Sequence, residues 1–302
     1  MELLLSALAL ILLMAAGLGV LLLLLSRETE IDPIELASLS FLLGCALISS
    51  ASFLLGFVMK GALLQGAVSL LALSLLATGI LRARKQSLRI GGLFPSGGRD
   101  VLLILVLLLQ TGFVFWFSAH TGLGWDGVFH WEIKARLASG NGGVLPLSYL
   151  TERALWSSHR GYPLLLPLTE SWFYGWMGGA HQGLIKLLFP LFFAAGLGVL
   201  ATASGKRSIL PPVLLSFIPL VQFGDGSVPS GYADFPLAVY YLACTIGILR
   251  LGNEKSDNGA RVLAVLFCVL PWLKQDGNIL FLILAFLLAI RLWSTTSVLR
   301  EL

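Results

Sequence analysis

Apolar residues run along this chain in long blocks, not in the short alternating or 3.6-residue stripes of a soluble domain. The blocks cover residues 3–25, 34–58, 61–81, 101–119, 183–203, 208–223, 232–249, 261–273 and 278–293. About 20 helical residues cross the hydrocarbon of a bilayer, so the pattern predicts an all-α polytopic membrane protein with about nine transmembrane helices. The sixth and eighth blocks are short for a crossing, and Pro211, Pro212 and Pro219 interrupt the sixth. Between the fourth and fifth lies one long polar stretch, 120–182, expected to form a large loop holding amphipathic helices. The first block lacks a basic leader and is too long for a signal-peptide core, which makes it a span.

Charge orients the spans. If they alternate, thirteen of the twenty lysines and arginines fall on one side: Arg27, the five basic residues of 82–99, Lys206, Arg207, Arg250, Lys255, Arg261, Arg291 and Arg300. Basic loops stay in the cytoplasm. The N-terminus and the 120–182 loop are therefore expected outside. All four histidines then also lie outside, together with Asp126, Glu132, Glu152, Glu170, Asp225, Asp234, Asp276 and six of the eight tryptophans. Ionisable groups at a membrane face are costly unless they line a polar site, so this clustering marks a candidate one.

Composition narrows the function further. The 302 residues are 57% hydrophobic and 12% charged, about half the charge of a soluble domain. Cys45, Cys244 and Cys268 sit inside apolar blocks without metal-ligand spacing and read as small apolar filler. There is no Walker A loop, dinucleotide fingerprint, zincin helix or Gly-x-Ser-x-Gly elbow. A soluble nucleotide enzyme is excluded on that ground, and nothing points to nucleic acid.

The densest chemistry lies in 124–137, just beyond the fourth block. If this stretch is helical, Asp126, His130 and Lys134 step by four and share one stripe, while Glu132 and Arg136 form an ordinary ion pair on another face. Carboxylate, imidazole and ammonium on one stripe suit activation of a hydroxyl beside a bound phosphate. A surface helix with a charge ladder would have the same spacing. His159 and Arg160 precede Tyr162–Pro163, which favours a loop; the arginine is placed to clamp an anionic head group or to meet lipid phosphates. The run Trp172–Phe173–Tyr174–Gly175–Trp176 reads as an interfacial aromatic belt. Tyr232–Ala233–Asp234–Phe235–Pro236 opens the seventh block with a carboxylate, and Lys274–Gln275–Asp276–Gly277 forms a tight turn before the ninth.

In order and sidedness these motifs, over roughly residues 100–293, resemble the GT-C glycosyltransferases. That superfamily includes protein O-mannosyltransferases and the lipid A aminoarabinose transferase, and its members use polyprenyl-phosphate-linked sugars. The resemblance implies a three-helix N-terminal module over 1–99 and a catalytic core over 100–302. It implies Asp126 as the base and Lys134, Arg160 and Lys274 as donor-phosphate ligands. His130, His159, Asp234 and Asp276 would be acceptor contacts or secondary site residues. A divalent metal (Mg or Mn) would draw on Asp126 and Asp234. In many members a second acid adjoins the first, whereas Gly127 follows Asp126 here, which weakens the metal expectation. Many members also continue into further spans and an outer C-terminal domain, so a short or truncated member is expected. The implied partners are a polyprenyl-phosphate sugar, a glycan, lipid or protein acceptor, and membrane lipids, with the site on the extracytoplasmic face of the cell (inner) membrane. The rival is a multi-span transporter or flippase, which predicts internal repeats and broken helices at matching positions.

Overall fold

The computed structural model describes residues 1–25, 30–86, 88–91, 98–203, 208–251 and 258–301. Arg27, Lys206, Arg207 and Lys255, used above for orientation, lie outside the described residues. The fold is all-α apart from a two-residue parallel pairing of β1 (Glu30–Ile31) with β2 (Arg89–Ile90), which ties two interhelical linkers together.

Four long helices come first: α1 (Glu2–Leu24), α2 (Pro33–Leu55), α3 (Ala62–Lys85) and α4 (Gly98–His120). The start of α2 is set by Asp32, whose carboxylate accepts from the Ile34 N–H at 2.8 Å, with Pro33 as the first helical residue. A wide π-helical turn, Gly127–Glu132, runs into α5 (Ile133–Gly140). After two 3₁₀ turns come α6 (Leu165–Met177), α7 (Gln182–Ile185) and α8 (Leu188–Ala201). The chain ends with α9 (Leu210–Ser216), α10 (Pro219–Gln222), α11 (Asp234–Arg250), α12 (Asn258–Leu273) and α13 (Asp276–Glu301).

Among the described residues, six helical stretches are long and apolar enough to cross a membrane: α1, α2, α3, α4, Gln182–Ala201 and Asp276–Trp293. The expected span 208–223 is instead two short helices. Pro219 has no N–H to carry the ladder through, so α9 stops and α10 restarts after it. The expected spans 232–249 and 261–273 are helices of 17 and 16 residues.

Small residues set how closely the helices pack. A Cβ built on Gly17 of α1 would lie 1.7 Å from the Ser40 carbonyl oxygen of α2, so only glycine permits this backbone contact. In an apolar solvent such contact replaces the hydrophobic effect as the source of helix association. α1, α2 and α8 are largely buried, whereas α4 and α13 present Leu102, Leu105, Leu109, Ile279, Leu282 and Phe286 outward. Helices from both parts of the chain share one core, since α1 packs on α6 and α12 as well as on α2 and α3.

α6 departs from expectation. The run around Trp172 is not an interfacial belt: Trp172, Phe173 and Tyr174 are buried, and Trp172 Nε1 donates to the Ala9 carbonyl at 3.1 Å. Part of the supposed loop is thus a core helix. Burial of its aromatics on α1 outweighs the preference of tryptophan for a wetted interface.

Candidate functional site

Asp126 is positioned by close backbone packing. The Gly124 N–H donates to the Ser230 carbonyl at 2.8 Å, and a Cβ on Gly127 would fall 2.5 Å from that same oxygen. Two glycines therefore let the 124–127 segment seat directly on the 3₁₀ turn Val228–Ser230, a few residues before Asp234 opens α11. The Tyr232 hydroxyl lies against the Asp126 backbone and donates to Asp225 Oδ1 at 3.4 Å.

The π-helical winding begins immediately after Asp126. Wide turns of this kind strain a helix and recur at functional positions. Here the turn brings His130 Nδ1 to 3.3 Å from Asp126 Oδ1, with the carboxylate side chain 36% exposed and the imidazole nearly buried. The approach is too oblique for a hydrogen bond, so His130 Nδ1 is a buried nitrogen without a partner. Burial, joined by the nearby His159 and Lys134, lowers the His130 pKa despite the attraction of Asp126. His130 therefore resists protonation and lies against the carboxylate without bonding it.

Lys134 does not share the open stripe. It is fully buried, donates to the His159 carbonyl at 3.0 Å, and lies 5.3 Å from the ring centres of both Trp131 and Tyr162. Burial lowers its pKa from an ordinary value near 10.5 to about 7. Between those two pH values the unfolded chain binds the proton that the folded chain has released, so stability rises with pH across that window. Thermal unfolding in detergent is expected to shift upward between pH 7 and pH 9. Lys134→Met, which keeps the stem and removes the proton, should flatten that rise; an unchanged slope would mean another group controls it.

The 159–163 loop lies over this lysine. His159 has φ 49° and ψ 73°, the one positive-φ residue other than glycine among the described residues. The left-handed backbone costs a non-glycine residue of order 1 kcal/mol or more and persists where its surroundings over-determine it. Those surroundings are visible: the His159 ring stacks on Tyr162 at 4.7 Å and meets His130 edge-on at 4.3 Å. Arg160 is spent on the loop itself, donating to the carbonyls of Leu150 and Glu152 and lying over Trp156.

The last piece is the turn between α12 and α13. Gly277 there sits against the Leu270 carbonyl, with room for no Cβ. Gln275 Nε2 donates to the Gly161 carbonyl at 3.1 Å and joins the turn to the His159 loop. Lys274 Nζ bonds Asp234 Oδ1 at 2.6 Å and lies 3.1 Å from Asp276 Oδ2. Burial alone would lower the Lys274 pKa, but the hydrogen bonds and charges of the two carboxylates raise it, so the ammonium is retained.

A closed circuit of contacts results. It runs from Asp126 to His130, His159, Gly161, Gln275, Lys274 and Asp234, and returns through Gly231 and Ser230 to Gly127. Every expected site residue lies on or beside it. The three expected phosphate cations differ in availability: Lys134 is sealed beneath the loop, Arg160 holds loop carbonyls, and Lys274 is held by two acids. Among the described residues no three His, Cys, Asp or Glu side chains are grouped to hold a metal ion. Lys274 already occupies the Asp234 carboxylate, so these residues do not fit a divalent cation. His120 and His181 lie apart, against Trp116 and Glu2.

Sequence spacing assigned no role to Tyr162, Tyr232 or Gln275, which build the circuit. It read Glu132 as one half of an ordinary ion pair. In the fold Glu132 is 1% exposed and accepts from Arg136 Nε and Nη2, Tyr174 Oη and Gln182 Nε2. Comparison with known protein families, with curated proteins and with solved structures finds no match to this chain.

Proposed function

We propose that this chain is a membrane glycosyltransferase that moves a hexosyl or pentosyl group from a polyprenyl-phosphate donor to an acceptor hydroxyl, with inversion, on the outer face of the cell (inner) membrane. The observation that carries the reading is the half-open Asp126 carboxylate, beside the imidazole of His130 in a ring of contacts that also contains the Lys274 ammonium. A lipid phosphate is already a good leaving group, so the chemistry asks mainly for a base and a cation. Asp126 takes the acceptor proton while the acceptor oxygen attacks the anomeric carbon. The bond from that carbon to the phosphate oxygen breaks, and polyprenyl phosphate leaves with the electron pair. Attack opposite the leaving group inverts the centre.

Lys274 is the cation for the departing phosphate, reached when the donor displaces Asp276; Arg160 borders the same loop. Lys134 acts from beneath by holding His159 in place. An apolar cavity of about 360 Å³ between Phe53, Phe57, Leu147, Leu164 and Leu168 adjoins the loop, with Lys60 at its wall, and suits a prenyl tail. Acceptors are glycan, lipid or protein hydroxyls.

Nine crossings go with this reading. The linkers of β1 and β2 would lie on the cytoplasmic side, and the broken pair α9–α10 would climb from Ser208 to Ser230 as the sixth crossing. That interruption is also what favours the transporter alternative, since Gln222 beside it bonds Gln110 midway along α4.

Reconstituted protein separates the two. A transferase converts a polyprenyl-phosphate sugar and an acceptor to glycosylated product and polyprenyl phosphate in equal amounts; a transporter moves substrate and forms neither. Lys274→Ala should weaken donor binding as well as turnover. In a background without native cysteines, Ser157→Cys should react with an impermeant reagent in intact cells and Lys85→Cys should not. The reverse pattern would put the site on the wrong face for this donor.

A further inference from the structure

On the far side of α5 from Asp126 lies a second cavity, of about 430 Å³, within the usual range for small-molecule sites. It is bounded by the end of α2, the start of α3, the last turn of α5 and the second half of α6. Three properties of its wall define what it takes. The first is charge: Arg136 is the one ionised side chain lining it, and Glu132 compensates that charge through the Nε and Nη2 bonds. The Arg136 charge is thus already paired on the protein side, and no second ionised side chain lines the wall to bind a charged ligand. The second is unspent hydrogen bonding. Gln65 Nε2 and Ser171 Oγ are buried without partners, and a buried polar atom left unpaired is costly until a ligand pairs it. The third is surface texture: seven glycines put no side chain into the space and leave it open beside Trp172 and Tyr174.

A wall that is neutral overall, holds two unpaired polar groups and is partly aromatic matches an uncharged ligand with hydroxyls and apolar C–H faces. We propose that this cavity is a carbohydrate-binding site for an uncharged glycan unit, separate from the Asp126 circuit. The assignment stands apart from the transfer chemistry, since a glycan would bind here whether or not Asp126 acts as a base.

The test uses the full-length chain in detergent and ligand-observed saturation-transfer NMR. The probes are a panel of uncharged mono- and disaccharides, with inorganic phosphate and spermidine as charged controls. At least one uncharged saccharide should bind saturably, and neither control should displace it. Gly140 lines the cavity, and a Cβ there meets nothing within 4 Å, so Gly140→Trp fills the space without a clash at the backbone. It should abolish binding while leaving the circular dichroism spectrum and melting temperature unchanged. Gln65→Met removes the orphaned donor at nearly constant volume and should weaken binding about tenfold, which keeps the test intact should the tryptophan variant misfold. Asp126→Asn should bind as the parent does, so a loss of transfer and a loss of this site are read independently. The proposal is overturned if no uncharged saccharide binds, if Gly140→Trp or Gln65→Met binds with full affinity, or if phosphate competes.

Discussion

Asp126→Asn is expected to lower sugar transfer by at least 10²–10⁴-fold, the usual worth of general-base assistance, while the protein stays folded and binds its lipid-linked donor. Asparagine preserves the shape and the contact with His130, and its amide cannot take the acceptor proton. The measurement is product formed per mole of enzyme, alongside donor affinity. A fall in kcat at nearly constant donor affinity fits a group that acts in the transition state. Full turnover by the variant would remove the base assignment and move the balance to translocation without chemistry.

The largest stability effect is expected at Glu132. Glu132→Ala leaves the Tyr174 hydroxyl buried and unpaired, takes the acceptor from the half-buried Gln182 amide, and leaves Arg136 beside them uncompensated. Breaking a buried pair from one side costs about 3–5 kcal/mol. Arg136 is 47% exposed, so water screens part of its share and the lower end, about 3 kcal/mol, applies. A melting temperature lower by roughly 6–12 °C should follow for a chain of this size. Glu132→Gln keeps an acceptor oxygen and should lose less. Glu170 lies within the field of Glu132, where burial first and that charge second raise its pKa well above the carboxylate range. Both variants should therefore ease its ionisation. A loss below about 1 kcal/mol in Glu132→Ala would mean that water enters and satisfies the abandoned groups.

The long helices were legible because nothing competes with a run of twenty apolar residues: α1 to α4 begin and end within a few positions of the blocks that predict them. Two departures have physical causes. α9 and α10 separate because Pro219 has no N–H, an interruption the sequence shows but a count of apolar residues passes over. α6 falls within the stretch that the sequence assigns to an outer loop with an interfacial aromatic belt, yet even its polar Thr169, Glu170 and Ser171 are buried. Thr169 satisfies itself on the Leu165 carbonyl, and Glu170 is buried with its pKa raised. Within the candidate site, the spacing of Asp126 and His130 foretold their contact. Lys134 continues the same four-residue step, but its direction depends on the His159 loop, twenty-five residues away, whose left-handed turn no periodicity announces. Spacing named the groups; only the fold decides which of them face outward.

The contact circuit also has an order in time. Its members leave the ribosome in the sequence Asp126, His159, Asp234 and last the Lys274–Asp276 turn, which closes it through Asp234 and Gly161. Until the α12–α13 turn forms, Asp234 lacks the Lys274 ammonium and the Gly161 carbonyl lacks the Gln275 amide. Under the proposed transfer chemistry, order of synthesis becomes a safeguard: the carboxylate assigned as base is made well before the lysine assigned to the departing phosphate, and the two meet in one circuit only when the last turn is in place.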